Sequence, residues 1–198
     1  MILDIDFMWT ALRDIIRYIP VTLELTAGAL VITLPIAALF SFVVYKSVPV
    51  LSPISKVLIS LIRGTPIILH LYILYNVLPS FLNSFLTGIG STLKIWDINN
   101  IYYAFIALSL FPIASLTEAF RSALSLVDKG QLEAASSVGM TKFQGYVRIV
   151  IPQAIVLALP VMCNSTVDLI KSTSLAFTMM VVEITGEAKV ICYPQIGQ

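Results

Sequence analysis

The polar side chains that could do chemistry in this chain are few, and most gather in one late stretch. Asn164, Ser165, Thr166, Asp168, Lys171, Ser172, Thr173 and Ser174 follow directly on a long apolar run. An ionisable group at membrane depth costs ~2.5–3.5 kcal/mol on insertion scales and therefore faces a bundle interior or a wet cavity. Asp168 and Lys171 are one helical turn apart, so they could simply neutralise each other. Alternatively they, with the Thr173 and Ser174 hydroxyls and Asn164, could hold the charged head of a small zwitterion in transit. Arg63 ends another apolar stretch, where it could snorkel to lipid phosphates, line a passage or brace a subunit interface. His70, the single histidine, reads first as a hydrogen-bonded packing residue. No H-E-x-x-H, G-x-S-x-G or G-x-x-x-x-G-K-[ST] pattern occurs, so an intramembrane hydrolase is the weaker rival reading and ATP hydrolysis is expected of a partner rather than of this chain.

A second polar stretch, Glu118 to Pro152, lies between two apolar runs. Ser125 or Asp128 could cap a short helix in it, and Gly130 and Gly139 could bound that helix. Glu133 sits near the helix start, where an anion suits the positive end of the dipole. The small residues Ala134, Ala135, Ser136 and Ser137 would let another protein's surface approach closely. A solvated loop is the plainer reading of the same residues.

These stretches interrupt a chain of 198 residues that is 58% hydrophobic, only 12% charged and of net charge +1, with a mean hydropathy of +0.95. Apolar residues in long runs point to lipid as the solvent, and so small a net charge gives no footing for nucleic acid. The two cysteines, Cys163 and Cys192, suit neither a disulfide framework nor a zinc site, no other cofactor is called for, and both read as small buried hydrophobes. Helical periodicity over 2–19, with Asp4 and Asp6 at its start, predicts a surface amphipathic helix broken by Pro20. Spanning helices follow at about 21–45, 57–80, 100–120 and 151–170. Lys46, Lys56 and Arg63 in one connection and Arg121, Lys129, Lys142 and Arg148 in another place both inside, with Lys94 alone in the 81–99 loop. The amino terminus is then outside. One domain is expected over 1–198.

Four segments carry a resemblance. Glu133-Ala134-Ala135, three residues, Gly139, nine residues and Ile149-Val150-Ile151-Pro152 match the EAA signature of ABC-importer permeases, with Ile151 in place of leucine. Arg63-Gly64-Thr65-Pro66-Ile67-Ile68 is similar to the R-G-T-P-L-L segment of the polar amino-acid branch. Asp128-Lys129-Gly130-Gln131-Leu132-Glu133-Ala134-Ala135 is similar to its P-K-G-Q-x-E-A-A, and the stretch from Asn164 to Leu175 to its N-x-x-x-x-L-(L/I)-K-D-T-S-L, with Ser172 where aspartate is usual. The chain thus resembles a type I permease, an all-helical membrane bundle of four to five spans with a cytoplasmic coupling helix.

The resemblance implies docking to ABC ATPase subunits through Glu133, Ala134, Ala135 and Gly139, and a substrate path touching Arg63, Asn164, Asp168, Lys171, Thr173 and Ser174. It implies a second permease subunit, an extracellular or periplasmic substrate-binding protein and a bacterial inner or plasma membrane. Polar amino acids are the cargo, cystine among the conceivable ones, moved by alternating access. A non-transporting membrane anchor, or a truncated permease without transport, is the alternative. The resemblance also implies a further span beyond Ala188, whereas KVICYPQIGQ holds no apolar run long enough. The reading is therefore that the last family helix is missing, or that Leu175 to Val182 serves as a short re-entrant piece.

Overall fold

The computed structural model describes residues 5–89 and 95–196, without the side chains of Trp96 and of residues 193–196. Asp4 and Lys94, counted above for charge, lie outside the described residues. Every regular element among the described residues is helical. The amino-terminal helix α1 (Ile5–Ile16) exposes Ile5, Met8, Trp9, Leu12 and Ile16, an apolar face at helical spacing. The break after it falls at Arg17-Tyr18, ahead of Pro20, because a proline fits the first turn of a helix whose N–H groups lack partners anyway. Helix α2 (Ile19–Tyr45) therefore contains Pro20.

The expected span over 57–80 is divided. Helix α3 (Leu51–Gly64) stops before Thr65-Pro66, and α4 (Ile67–Tyr72) starts anew behind an extended Pro66. The residue before a proline is pushed out of the helical region, and proline itself offers no N–H to continue the ladder. At ~1.5 Å per residue α3 is about 21 Å long, short of a ~30 Å hydrocarbon layer. The stretches long and apolar enough to cross a membrane are Ile5–Tyr45, Ile67–Gly88, Asn100–Leu126 and Lys142–Met179.

Two of these carry the same local device. A π-helical turn at Ile73–Val77 leads into α5 (Leu78–Gly88), and another at Tyr146–Val150 leads into α9 (Ile151–Ser172). In each case a proline follows directly, Pro79 or Pro152. The N–H just before it donates five residues back, Leu78 to the Ile73 carbonyl and Ile151 to the Tyr146 carbonyl. Widening the helix by one residue keeps the proline ring off the carbonyl it would otherwise strike.

The remaining elements are α6 (Asn100–Leu126), α7 (Gly130–Ser137), α8 (Lys142–Gly145), a 3₁₀ stretch at Thr173–Met179 and α10 (Ile184–Ile196). The residues expected to be re-entrant thus form the 3₁₀ stretch up to Met179, and the chain continues from it into α10.

The chain divides into two compact units, one of residues 1–32, 65–110 and 168–198, the other of 33–64 and 111–167. The first has a core of Leu25, Ala29, Leu71, Ala104, Ala107 and Leu108 with Leu169, Ala176 and Met179. Small residues bring α2 and α6 close there: a Cβ placed on Gly28 would lie 2.6 Å from the Phe105 ring. Without a hydrophobic force between helices in lipid, such close packing is what holds them. The second unit packs Ala123, Leu124, Val127, Val150, Ala154 and Ala158. Cys163 and Cys192 are free and exposed, which corrects the expectation of burial. They sit on outward faces of α9 and α10, where an apolar side chain meets lipid as readily as core.

Gly28→Val should destabilise the first unit by about 1–3 kcal/mol through overpacking. The check is the unfolding midpoint of the detergent-solubilised chain, which should fall for Gly28→Val and hold for a same-size change at exposed Leu23.

Candidate functional site

Helix α7 is closed at both ends by residues of the EAA segment. At its start the Asp128 carboxylate accepts the Gly130 N–H at 2.8 Å, so Asp128, rather than Ser125, supplies the cap. Ser125 instead donates to the Arg121 carbonyl within α6. At its end Gly139 adopts a left-handed φ of +81°. Its N–H reaches the Ser136 carbonyl and that of Met140 reaches the Ala135 carbonyl, both at 3.0 Å. That pair of bonds is the Schellman arrangement, which satisfies the last carbonyls of a helix and favours glycine at the turn. The glycine that follows Glu-Ala-Ala after three intervening residues is therefore required by the backbone, since nothing crowds its Cβ position within 4 Å.

The two alanines do different things. Ala135 is buried, and a Cβ on Gly145 would meet the Ala135 Cβ at 3.5 Å and a Leu132 methyl at 3.0 Å. This face thus packs α7 onto α8, which Thr141 and Gln144 start with a reciprocal capping box. Ala134 and Glu133 are exposed, as are Val138 and Phe143. The result is a short rigid helix offering one carboxylate and a small-residue surface.

The late polar stretch occupies α9 and the 3₁₀ turn after it. Asn164, Asp168 and Lys171 recur at i, i+4 and i+7 of one helix, and all three are exposed. The Lys171 ammonium lies 3.4 Å from the Asp168 carboxylate, with side-chain exposures of 72% and 68%. The pair forms on a face that the chain itself leaves uncovered. The hydroxyls are engaged locally: Ser172 donates to the Asp168 carbonyl, Thr173 to Ile170 and Ser174 to Lys171, at 2.7–2.8 Å. Thr173 is buried against its unit's core, while Ser174 is half-exposed. The structure thus brings Asp168 and Lys171 together and turns Thr173 inward.

Arg63 belongs to the second unit, as does Asn164, whereas Asp168, Lys171 and Ser174 belong to the first. Arg63 lines a cleft with Glu118, Ser115 and Ser122, in which Glu118 pairs with Arg121 at 2.9 Å. Thr65 and His70 bridge the Pro66 break, Thr65 Oγ1 to His70 Nε2 at 2.6 Å. That is the packing role expected of the histidine, although its Nδ1 is buried without a partner.

Two features escaped the sequence reading. Glu183 is almost wholly buried and its carboxylate accepts the Gly186 N–H at 2.7 Å, capping α10; an acid just before Ile-Thr-Gly was the available signal. Lys46, a hundred residues from Tyr146, donates to its hydroxyl, and nothing local in the sequence announces that.

Known proteins resemble this chain along most of its length. Residues 33–188 match the family described as binding-protein-dependent transport system inner membrane component. The chain is 38% identical over 187 residues to the probable amino-acid permease protein YxeN of Bacillus subtilis, covering 94% of this chain and 79% of that one. It is 36% identical over 186 residues to the probable amino-acid ABC transporter permease protein PatM of Vibrio harveyi, covering 94% and 79%. It is 31% identical over 188 residues to the L-cystine transport system permease protein TcyL of B. subtilis, covering 95% and 76%. The crystal structure of an amino acid ABC transporter with histidines superposes with a TM-score of 0.77 at 26% identity, covering 99% of this chain and 86% of that one. The chain belongs to the binding-protein-dependent transport system inner membrane component family, a helical membrane permease whose ATPase is a separate subunit.

The two motif glycines should respond differently. Gly139→Val should lower stability by about 1–2 kcal/mol, because a β-branched residue is strained at positive φ. Gly64→Ala, with nothing within 4 Å of its Cβ position, should be neutral or stabilising. Thermal unfolding of the two purified variants side by side separates them.

Proposed function

We propose that this chain, as a member of that family, is the translocating subunit of an importer for polar amino acids, working by alternating access. The observation that carries the reading is α7, a capped helix whose outer face is free to dock. Glu133, Ala134 and Gly139 form the surface for an ABC ATPase subunit, and Ala135 anchors that surface to α8. A second permease subunit completes the passage, and a substrate-binding protein outside the membrane delivers the cargo. The amino-acid class is supported by the names of YxeN, PatM and TcyL, the last of which makes cystine a specific candidate.

Orientation follows from charge. The cations Lys46, Lys56 and Arg63 lie between the first and second crossing stretches, and Arg121, Lys129, Lys142 and Arg148 fall at the third-to-fourth connection. Both groups are then cytoplasmic, and the amino terminus is outside. Cysteines placed at Asp6 and Lys142, in a chain lacking Cys163 and Cys192, should react with an impermeant thiol reagent from opposite faces of the membrane. Labelling of both from one side would overturn the orientation.

We assign contact with the cargo to Asn164, Asp168 and Lys171 along one helix and, each by itself, to Ser174 and to Arg63. Thr173 supports this path from inside the core. Replacing both members of the Asp168–Lys171 pair together leaves no unpaired charge behind, so the double variant probes transport. Asp168→Asn with Lys171→Met should assemble with the ATPase and lose at least tenfold in amino-acid uptake by proteoliposomes. Uptake retained by the assembled double variant would assign the pair to surface structure alone.

A further inference from the structure

Within the second unit, the end of α2 and the start of the α8–α9 segment form a strip with two chemically different halves. Its polar half is a basin of about 510 Å³ lined by Lys46, Lys142, Tyr146, Thr141, Ser136 and Glu133. Neither lysine has an ion-pair partner among the described residues. The Lys46 ammonium instead donates to the Tyr146 hydroxyl and lies among three rings, 4.0 Å from the centre of Tyr146, 5.5 Å from Tyr45 and 5.7 Å from Phe42. Two lysines against the one carboxylate of Glu133 leave the basin net positive.

The other half is a crevice of about 320 Å³ whose walls include Phe42, Phe120, Leu124, Ile155 and Met162. Phe42 belongs to both halves in effect: it lines the crevice, and its ring stands edge-on to Tyr146 with centroids 6.0 Å apart at 82°. The apolar crevice therefore leads to the cationic basin across one aromatic contact. Phe42 and Ile155 are open to the surroundings at 41% and 48% exposure, so a long apolar chain can enter from the side.

We propose that this strip binds one anionic phospholipid. Its phosphate sits in the basin against Lys46, Lys142 and the Tyr146 hydroxyl, and one acyl chain lies in the crevice along Phe42 and Ile155. Charge decides the headgroup, since a net positive basin between spanning helices recognises a headgroup that keeps a net negative charge. The crevice decides the source, because a free phosphate has no use for an apolar wall. The basin also includes Ala135 and Gly145 together with Glu133 at the edge of the docking surface, so a bound headgroup would brace α7 against α8 and leave Ala134 and Gly139 outside the basin. The inference goes beyond the transport reading and uses its orientation only to place the lipid in the inner leaflet.

The test uses the permease purified with its ATPase partner and stripped of lipid in neutral detergent. Dioleoyl phosphatidylglycerol, dioleoyl phosphatidylcholine and inorganic phosphate are each titrated against it by native mass spectrometry. Phosphatidylglycerol should bind at least tenfold more tightly than phosphatidylcholine. Lys46→Gln with Lys142→Gln should lose at least tenfold, and Lys46→Arg with Lys142→Arg should retain binding. Equal binding of the two lipids, or undiminished phosphatidylglycerol binding by the glutamine variant, would overturn the proposal. So would inorganic phosphate at millimolar concentration displacing the lipid completely, since the crevice would then contribute nothing. Binding in detergent has no leaflet, so failure here is distinct from failure of the cysteine-labelling test of orientation.

Discussion

Inside a bilayer no water reaches the backbone, and each N–H or C=O left alone costs several kcal/mol. That constraint dictates the all-helical chain and accounts for its irregularities. Pro79 and Pro152 would each remove a bond and clash with a carbonyl, so the helix widens by one residue ahead of each. Pro66 meets no such accommodation, and there the helix stops and restarts. Hydroxyls obey the same constraint by bonding to the backbone. Thr26, Thr117, Thr166, Ser172 and Thr173 all donate to carbonyls three or four residues back. A polar residue in this chain is first a servant of its own helix, and only the residue left over is available for cargo.

Helix α7 is the exception. It is too short and too polar to cross lipid, and a helix of eight residues is marginal alone in water. Its stability comes from the Asp128 cap, the Gly139 turn and the Ala135–Gly145 contact. Those three features fix its position against α8 while leaving Glu133 and Ala134 exposed. The proposed docking asks for a helix held on one side and open on the other, which these contacts provide.

The sequence made much of this legible, unevenly. Apolar runs set the helices, and the EAA spacing located α7, because Gly139 and Asp128 act through local backbone geometry. The split of the 57–80 stretch was visible in Thr65-Pro66, but hydropathy averaged across it. The exposure of Cys163 and Cys192 was not legible, since apolar faces toward lipid and toward core look alike in composition. Nor was the Lys46–Tyr146 contact, which joins elements a hundred residues apart. Thr173 and Ser174 were read together as path residues from hydroxyl chemistry, yet helical phase turns the first into the core and leaves only the second half-exposed.

The central claim is that the outer face of α7 transmits ATPase motion to this chain. Co-purification of the ATPase subunit from membranes measures it most directly. With Glu133→Lys and Gly139→Val together, the account predicts a permease that remains inserted while bound ATPase falls at least tenfold. ATPase recovered at the wild-type level with both substitutions in place would contradict it.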